Sequence, residues 1–411
     1  MANVRYDHVI AAIDVGTTKI CVLIANQLPD QQVEIVGIGK APSLGLKKGV
    51  VVDIAKTVHS IKSAVKEAEL MAGFSIESAY VGISGAHIES INSHGVVPIA
   101  KQRVRESDID NALAAAKAIP IAEGHQILHV LPHYFVVDGH DKVHDPRDMH
   151  GIRLEVQAHI ILGAVASVQN LIKCCEMAGI SVADVVLEQL ASADAVLSED
   201  ERELGVAVLD IGGGTSDLAV YQHGSIRHTK VLPVAGNHFT QDIAVGLRMT
   251  VKDAERIKHT HALALDTLMQ KDELLEVELI QGEQKGLVRL SDVVGVVNPR
   301  ARELLSLVYD TVTTHQLQLF MSTGLVLTGG GSLLTGMCEV AQQVFALPVR
   351  LGVPQHENAL PELLDNPMYA TGYGLIKHVI KKERQAAMKN LDGPLTKRLF
   401  NRMASWVADF F

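Results

Sequence analysis

Three short segments carry residue types that could cradle a polyphosphate and the metal ion that accompanies it. They are Asp14-Val15-Gly16-Thr17-Thr18-Lys19, Asp210-Ile211-Gly212-Gly213-Gly214-Thr215-Ser216-Asp217 and Thr328-Gly329-Gly330-Gly331-Ser332-Leu333-Leu334. Glycines such as Gly16, Gly212, Gly213 and Gly214 have no Cβ, so a tight turn can press backbone N–H groups against phosphate oxygens. Thr17, Thr18 and Thr215 add hydroxyl donors, and Lys19 adds a positive charge for the β/γ end. Asp14 and Asp210 each close an apolar run, where a carboxylate can hold the water shell of Mg²⁺, an ion that keeps hydrated octahedral geometry. Gly329, Gly330 and Gly331 precede a predicted helix, whose N-terminus could then approach a nucleotide closely. A single D-x-G-T-T is compatible with an ordinary hairpin. Three such turns, each behind an apolar strand, point to one site for a nucleotide's phosphates and a hydrated Mg²⁺. No G-x-x-x-x-G-K-[ST] occurs, which excludes a Walker-type NTPase.

The elements that must position these turns follow from periodicity. Apolar runs at 8–13, 19–25 and 33–39 read as strands around the first turn. Asp53 caps a helix whose apolar residues recur at helical spacing until Gly73, and a strand follows at 79–85. Between about 86 and 160 the texture changes to an Ala-rich helix (107–119), several histidines and strands at 126–137 and 152–163, as in an inserted subdomain. A helix (167–178), a strand (182–187) and a helix (189–197) lead to residue 205, where strand, acidic residue, glycine turn and strand recur. That internal repeat implies an α/β chain of two related halves. Further strands are expected at 226–234, 275–280 and 287–290, with helices at 238–260 and about 300–316.

Composition narrows the function classes. The 411 residues carry a formal net charge of −10, which argues against a general nucleic-acid binder. The four cysteines form no C-x-x-C pair; Cys174 and Cys175 read as buried apolar residues, usage that fits a reducing cytoplasm. The opening residues do not read as a signal peptide. No run approaches the ~20 apolar residues of a spanning helix. The 19 histidines show no metal-binding spacing and read as surface or satisfied core.

The end of the sequence is amphipathic. Residues 381–394 are polar and read as a flexible linker. After them Leu395, Leu399, Phe400, Met403, Trp406, Val407, Phe410 and Phe411 fall at intervals of three and four, with Lys397, Arg398 and Arg402 off that stripe. An aromatic-rich face opposite a basic one suits a helix lying in an anionic membrane surface.

The three glycine turns, in this order, resemble the phosphate-1, phosphate-2 and adenosine motifs of the actin, heat-shock chaperone and sugar-kinase superfamily. The resemblance implies an actin-like fold and assigns further residues. Val186–Ala193 resembles the first connecting helix, where Glu188 would orient the attacking water; Gln189 stands where relatives have proline. Glu255 and Lys258 match the helix whose Glu and Lys contact ribose and adenine, and Tyr369–Gly374 resembles the second connecting element. Actin-like halves, an insertion after Ser84-Gly85 and a terminal amphipathic helix together resemble the bacterial cell-division family FtsA. That implies first-half segments 1–84 and 163–204 (subdomain 1A), an insert 85–162 (1C), a second half 205–380 (2A and 2B), the linker and a membrane helix 395–411. It also implies self-assembly into filaments with ATP, at most weak or polymer-dependent ATPase activity, and recruitment of later division proteins. The tubulin-like protein FtsZ would be anchored, through its C-terminal peptide, on the cytoplasmic side of the inner membrane at the division site. The stretch Asn298–Glu303, expected to open the long helix, makes Arg300 the match to the peptide-binding region. A pilus-type scaffold resembling PilM, or a sugar kinase of the same superfamily, remains the alternative; residues 395–411 discriminate against both.

Overall fold

The computed structural model describes residues 8–28, 33–280, 285–355 and 362–391, and over 385–391 the backbone alone. Two five-stranded mixed sheets dominate it. In the first, the order is Ser181–Leu187, Ser78–Ile83, Val9–Val15, Lys19–Gln27, Val33–Pro42; in the second it is Val349–Leu351, Leu325–Thr328, Val206–Ile211, Ser216–Gln222, Ser225–Leu232. Each central strand pairs antiparallel with the next strand in sequence and parallel with a later one. The sequence repeat is therefore a repeat of topology, and the two halves take the actin-like form expected.

The central strands are buried on both faces, which is why they read as unbroken apolar runs. Alternation still sorts their side chains. Val206 and Val208 enter the core shared with the first sheet, whereas Ala207, Leu209 and Ile211 enter the second half's own core. The helix Ile54–Ala72 covers the first sheet with Val58, Ile61, Val65 and Ala68; Asp53 caps it by accepting from the Lys56 amide, and Gly73 ends it at φ 83°. The insert is an antiparallel sheet of Ile88–Pro98, Arg153–Ala164, His125–Val137 and Lys142–Val143, backed by the helix Glu106–Lys117 around a small core of its own.

Four expectations are corrected. The span 238–260 is two helices, Gly236–Gly246 and Val251–Thr260, parted where Arg248 takes a positive φ and Thr250 caps the second by accepting from the Asp253 amide. The long helix runs Leu290–Thr314 with Pro299 inside, so Asn298–Glu303 lies within it and does not open it. Proline in a helix interior costs about 3 kcal/mol; buried Val293, Val294, Val297, Ala301, Leu304 and Leu305 offset that along the inner stripe. The expected linker is helical as far as Leu391, because 381–391 contains strong helix formers and neither glycine nor proline. Finally, Gly330–Leu333 is a single 3-10 turn, and the α-helix beyond it starts only at Met337.

The insert meets the second half along a seam lined with histidine. Ser90 Oγ donates to the Thr229 carbonyl and Ser225 Oγ to the His133 carbonyl, both at 3.0 Å. His159 lies between Asn92 Oδ1 (2.6 Å) and Thr229 Oγ1 (2.9 Å). The rings of His133, His159, His228 and His315 follow one another at 5.9, 6.4 and 4.5 Å. These are not all satisfied core residues, since Nε2 of His133 and of His228 is buried without a hydrogen-bond partner. Burial, followed by neighbouring positive groups (Arg227 for His133, His315 and Lys230 for His228), pushes both imidazoles down to about 4. The folded chain thus binds fewer protons than the unfolded one below the free value of 6.5. Stability is full above that value and is lost as pH falls towards 4. Between pH 7 and pH 5 the wild type should lose on the order of 1–2 kcal/mol more than His228→Gln, which cannot titrate. Denaturant unfolding of both proteins at the two pH values measures this; parallel losses would exclude His228 as the cause.

Candidate functional site

The cleft between the two sheets has a volume of ≈ 460 Å³. Strand register places its residues. In the first hairpin Asp14 stands opposite Cys21; in the second, Asp210 stands opposite Asp217. The glycine turns beyond them meet across the floor: a Cβ on Gly213 would lie 1.7 Å from Thr18 Oγ1, and one on Gly214 2.5 Å from Thr17 Oγ1. A larger residue at either position would have to displace these threonines.

The motif residues Asp14, Gly16, Thr17, Thr18, Lys19, Glu188, Asp210, Gly212, Gly213, Gly214, Thr215, Glu255, Lys258, Gly329, Gly330 and Gly331 all line this one cleft. At its outer end Lys258 Nζ donates to Glu255 Oε2 at 2.7 Å and to Thr240 Oγ1 at 2.9 Å, so the pair arrives preorganised. Because Gly330–Leu333 is only a 3-10 turn, the third motif presents a glycine corner where an α-helical N-terminus was expected. Arg300 lies elsewhere, on the long helix. Its Nε and Nη2 donate to Asp242, with Nη2 to Oδ1 at 3.1 Å, and Nη1 donates to Glu303, so its charge is already partnered. The terminal residues named above, Leu395 to Phe411, fall outside the described residues.

Like charges directly opposite on adjacent strands repel, so Asp210 and Asp217 need compensation. Asp210 Oδ2 accepts from Ser192 Oγ and, at 3.0 Å, from Thr371 Oγ1. Asp217 Oδ1 accepts from Ser84 Oγ at 2.6 Å and from Gln189 Nε2 at 2.9 Å, and Oδ2 accepts from Thr215 Oγ1 at 3.2 Å. Most of these donors come from the first half and from the two connecting helices, so the carboxylates also tie the halves together. The sequence motifs contain Asp217, Ser84 and Thr371 but assign them no role, and Gln189 stands there only as a departure from a pattern. The available signal for Asp217 was its place seven residues after Asp210, which a tight hairpin turns into a cross-strand pair.

Burial is the main force on the acids. It pushes Asp217 up to about 7 against the bond from Ser84, and Asp14 up to about 6 against the pull of Lys19, with Asp210 raising both. Glu188 is raised well above the usual range by burial, then by Asp14 and Asp217. The nearest cation, Lys19, donates from Nζ to the Met368 carbonyl at 2.6 Å and lies 4.2 Å from the Tyr369 ring centroid. Such a cleft favours a cation. Among the described residues no three His, Cys, Asp or Glu side chains are disposed as direct ligands of one ion. The acids instead surround a cavity roomy enough to leave water between them and a metal.

The family model described as "Cell division protein FtsA" matches residues 207–374, and one described as "SHS2 domain inserted in FTSA" matches residues 85–162. The chain is 43% identical over 393 residues to the cell division protein FtsA of Pseudomonas aeruginosa, covering 96% of this chain and 94% of the relative. It is 36% identical over 405 residues to that of Escherichia coli K12 (97% and 95%) and 36% over 375 residues to that of Bacillus subtilis (91% and 84%). In fold it resembles the solved PilM-PilN type IV pilus biogenesis complex, with TM-score 0.66 and 16% identity over 90% of this chain and 98% of that one. It also resembles MreB5 of Spiroplasma citri bound to ADP, with TM-score 0.56 and 15% identity over 94% of this chain and all of that one. Matched along nearly its whole length at such identity, the chain belongs to the FtsA family of cell division proteins.

Proposed function

We propose that this protein binds Mg²⁺–ATP between its two halves, polymerises on the inner face of the cytoplasmic membrane, and there anchors the FtsZ ring and helps recruit later division proteins. The observation that carries the nucleotide reading is the convergence of three glycine turns, from two separate sheets, on one acid-lined cleft. Asp14, Asp210, Asp217 and Glu188 would hold the hydrated metal, which would supply charge neutralisation for the phosphates. The glycine hairpins and Thr17, Thr18 and Thr215 would meet the phosphates, and Glu255 and Lys258 the nucleoside. Turnover by the monomer is slow at most on this reading: Glu188 sits among three other acids in a buried floor, and nucleotide acts chiefly by favouring one arrangement of the halves. Attachment to the membrane is assigned to residues 395–411, and the FtsZ tail to the region of Arg300.

The raised acids make the metal's effect depend on pH. A carboxyl raised to about 6 or 7 in the folded state contributes stability that is lost as pH rises through that value. A divalent cation relieves this by favouring the ionised form. Mg²⁺–ATP binding at pH 6.5 should therefore release protons, seen as a binding enthalpy that changes with the ionisation enthalpy of the buffer. Asp217→Asn should reduce that release and weaken Mg²⁺-dependent affinity about 10–100-fold, the range for outer-shell partners of a metal. Folded wild type that shows no ATP binding by calorimetry sinks the nucleotide reading.

At the second site, Arg300→Glu places a carboxylate beside Asp242 and Glu303. It should weaken binding of the FtsZ C-terminal peptide by on the order of 1–3 kcal/mol while leaving ATP affinity alone. Fluorescence anisotropy with a labelled peptide reads this, and unchanged affinity would remove Arg300 from the site.

For the terminal segment, an isolated helix of this length is marginal in water, so its apolar stripe needs a surface to cover it. Trp406→Glu should release the full chain from phosphatidylglycerol-containing vesicles in a pelleting assay without changing ATP binding. Pelleting equal to wild type would assign membrane contact to another part of the chain.

A further inference from the structure

The charges around the cleft do not balance. Five carboxyl groups line it, those of Asp14, Glu188, Asp210, Asp217 and Glu255, against two lysines, Lys19 and Lys258, and no arginine. Both lysines are already engaged, Lys258 with Glu255 and Thr240, Lys19 with the Met368 carbonyl. A hydrated metal would answer the acids of the floor, but a metal-bound triphosphate still carries net negative charge. Such charge in a partly desolvated cleft needs cations close by. Unengaged cations stand on a short hairpin beside the first glycine turn.

That hairpin joins Leu46–Lys47 to Val50–Val51, with Lys47 opposite Val50, so its loop is Lys48-Gly49. Both loop residues have positive φ, 51° at Lys48 and 76° at Gly49, the pattern of a type I′ turn. Such a turn favours asparagine, aspartate or glycine at its first position, because a Cβ in the left-handed region is crowded. The hairpin's own folding therefore does not call for lysine there. Strained backbone of this kind clusters at functional sites. Of the non-glycine residues at positive φ among the described residues, Lys48 alone adjoins a residue of the cleft wall. That neighbour is Gly49, whose amide donates to Thr17 Oγ1 at 3.1 Å, while the Ser43 amide donates to the Thr18 carbonyl at 3.0 Å. A Cβ on Gly49 would lie 2.6 Å from the Ser84 carbonyl oxygen, so the loop is pinned against the strand end that serves Asp217. Lys48 is exposed, and among the described residues no carboxylate pairs with it. Its four-carbon stem carries a mobile point charge out from this fixed backbone.

We propose that Lys48 is a further polyphosphate-binding residue of the cleft, whose ammonium group closes on the terminal phosphate of a nucleoside triphosphate and makes the site prefer it to the diphosphate. This rests on the nucleotide reading above and deepens it. The glycine turn that the loop backs carries Thr17 and Lys19, the part of the site assigned to the far end of the phosphate chain. An exposed ammonium group stays hydrated until the third phosphate offers it an ionic partner. Lys47, at a paired strand position, serves as the control.

Calorimetric titration of the full chain with Mg²⁺–ATP and with Mg²⁺–ADP, at low and at high salt, tests this. Lys48→Asn installs a residue that the turn favours, so the hairpin is kept and thermal unfolding should not shift downwards. The variant should nevertheless bind ATP about fivefold more weakly at low salt, the upper end for an exposed ion pair, and ADP within about twofold of wild type. The ATP loss should shrink at about 0.5 M salt, where exposed charges are screened. Lys48→Arg keeps the charge and should keep the affinity, and Lys47→Ala should bind ATP like wild type. Unchanged ATP affinity in Lys48→Asn, or equal losses for ATP and ADP, would overturn the proposal and leave the nucleotide reading intact. So would a loss in Lys48→Arg or in Lys47→Ala as large as that in Lys48→Asn. Folded wild type that binds neither nucleotide would overturn both readings.

Discussion

The floor of the cleft holds four carboxyl groups that burial alone would keep neutral, and much of the architecture answers that constraint. Asp210 and Asp217 face each other across a two-strand hairpin, and Asp14 and Glu188 reach the same space from the other half. An isolated buried carboxylate is expensive, so such groups must find donors or shift their protonation. Both happen here. Ser192 and Thr371 serve Asp210, while Ser84, Gln189 and Thr215 serve Asp217. The remaining penalty shows as raised proton affinity, and it leaves the cleft poised for a cation.

Those donors come from different parts of the chain, and this joins electrostatics to mechanics. Ser84 ends a strand of the first sheet, Gln189 and Ser192 lie on one connecting helix, and Thr371 lies at the start of the other. Any change in the charge of the floor therefore acts on the joints between the halves. Gln189 illustrates the point. Its side-chain amide reaches the second half at a buried oxygen of Asp217. Neighbouring Glu188 keeps its place in the cleft wall.

The insert is held by different chemistry. Its seam with the second half contains stacked imidazoles, serine-to-backbone bonds and Arg227, whose guanidinium lies 5.8 Å from the ring centroids of both Tyr134 and Phe320. Acidification charges this seam and, over part of the same range, neutralises the cleft acids. The two regions thus respond to pH with opposite sign, and the measured stability of the whole chain is their sum.

Much of the site was legible in the sequence, because its parts are local. A glycine turn behind an apolar strand needs only a few consecutive residues, and repeating it at Asp14 and Asp210 disclosed two related halves. Composition, the cap at Asp53 and the stop at Gly73 needed no tertiary knowledge either. The remaining features depended on registers and distant partners. Asp217 acquired its role only when a hairpin set it opposite Asp210 and the first half brought Ser84 and Gln189 to it. The long helix ran through Pro299 because burial of one face outweighed the local penalty, and the residues around Arg300 thereby moved from a helix start to its middle. The glycines of the third motif formed a corner, and the helix expected directly behind them began at Met337. Residues 381–391 continued a helix already nucleated by packing against its neighbours, where polarity alone suggested a linker. Sequence determined which residues could bind, turn or cap, since those are properties of single side chains and short segments. Tertiary structure decided which of them share a cavity and a charge, because Coulomb and desolvation energies depend on distance and burial, and neither is set until the chain has closed on itself.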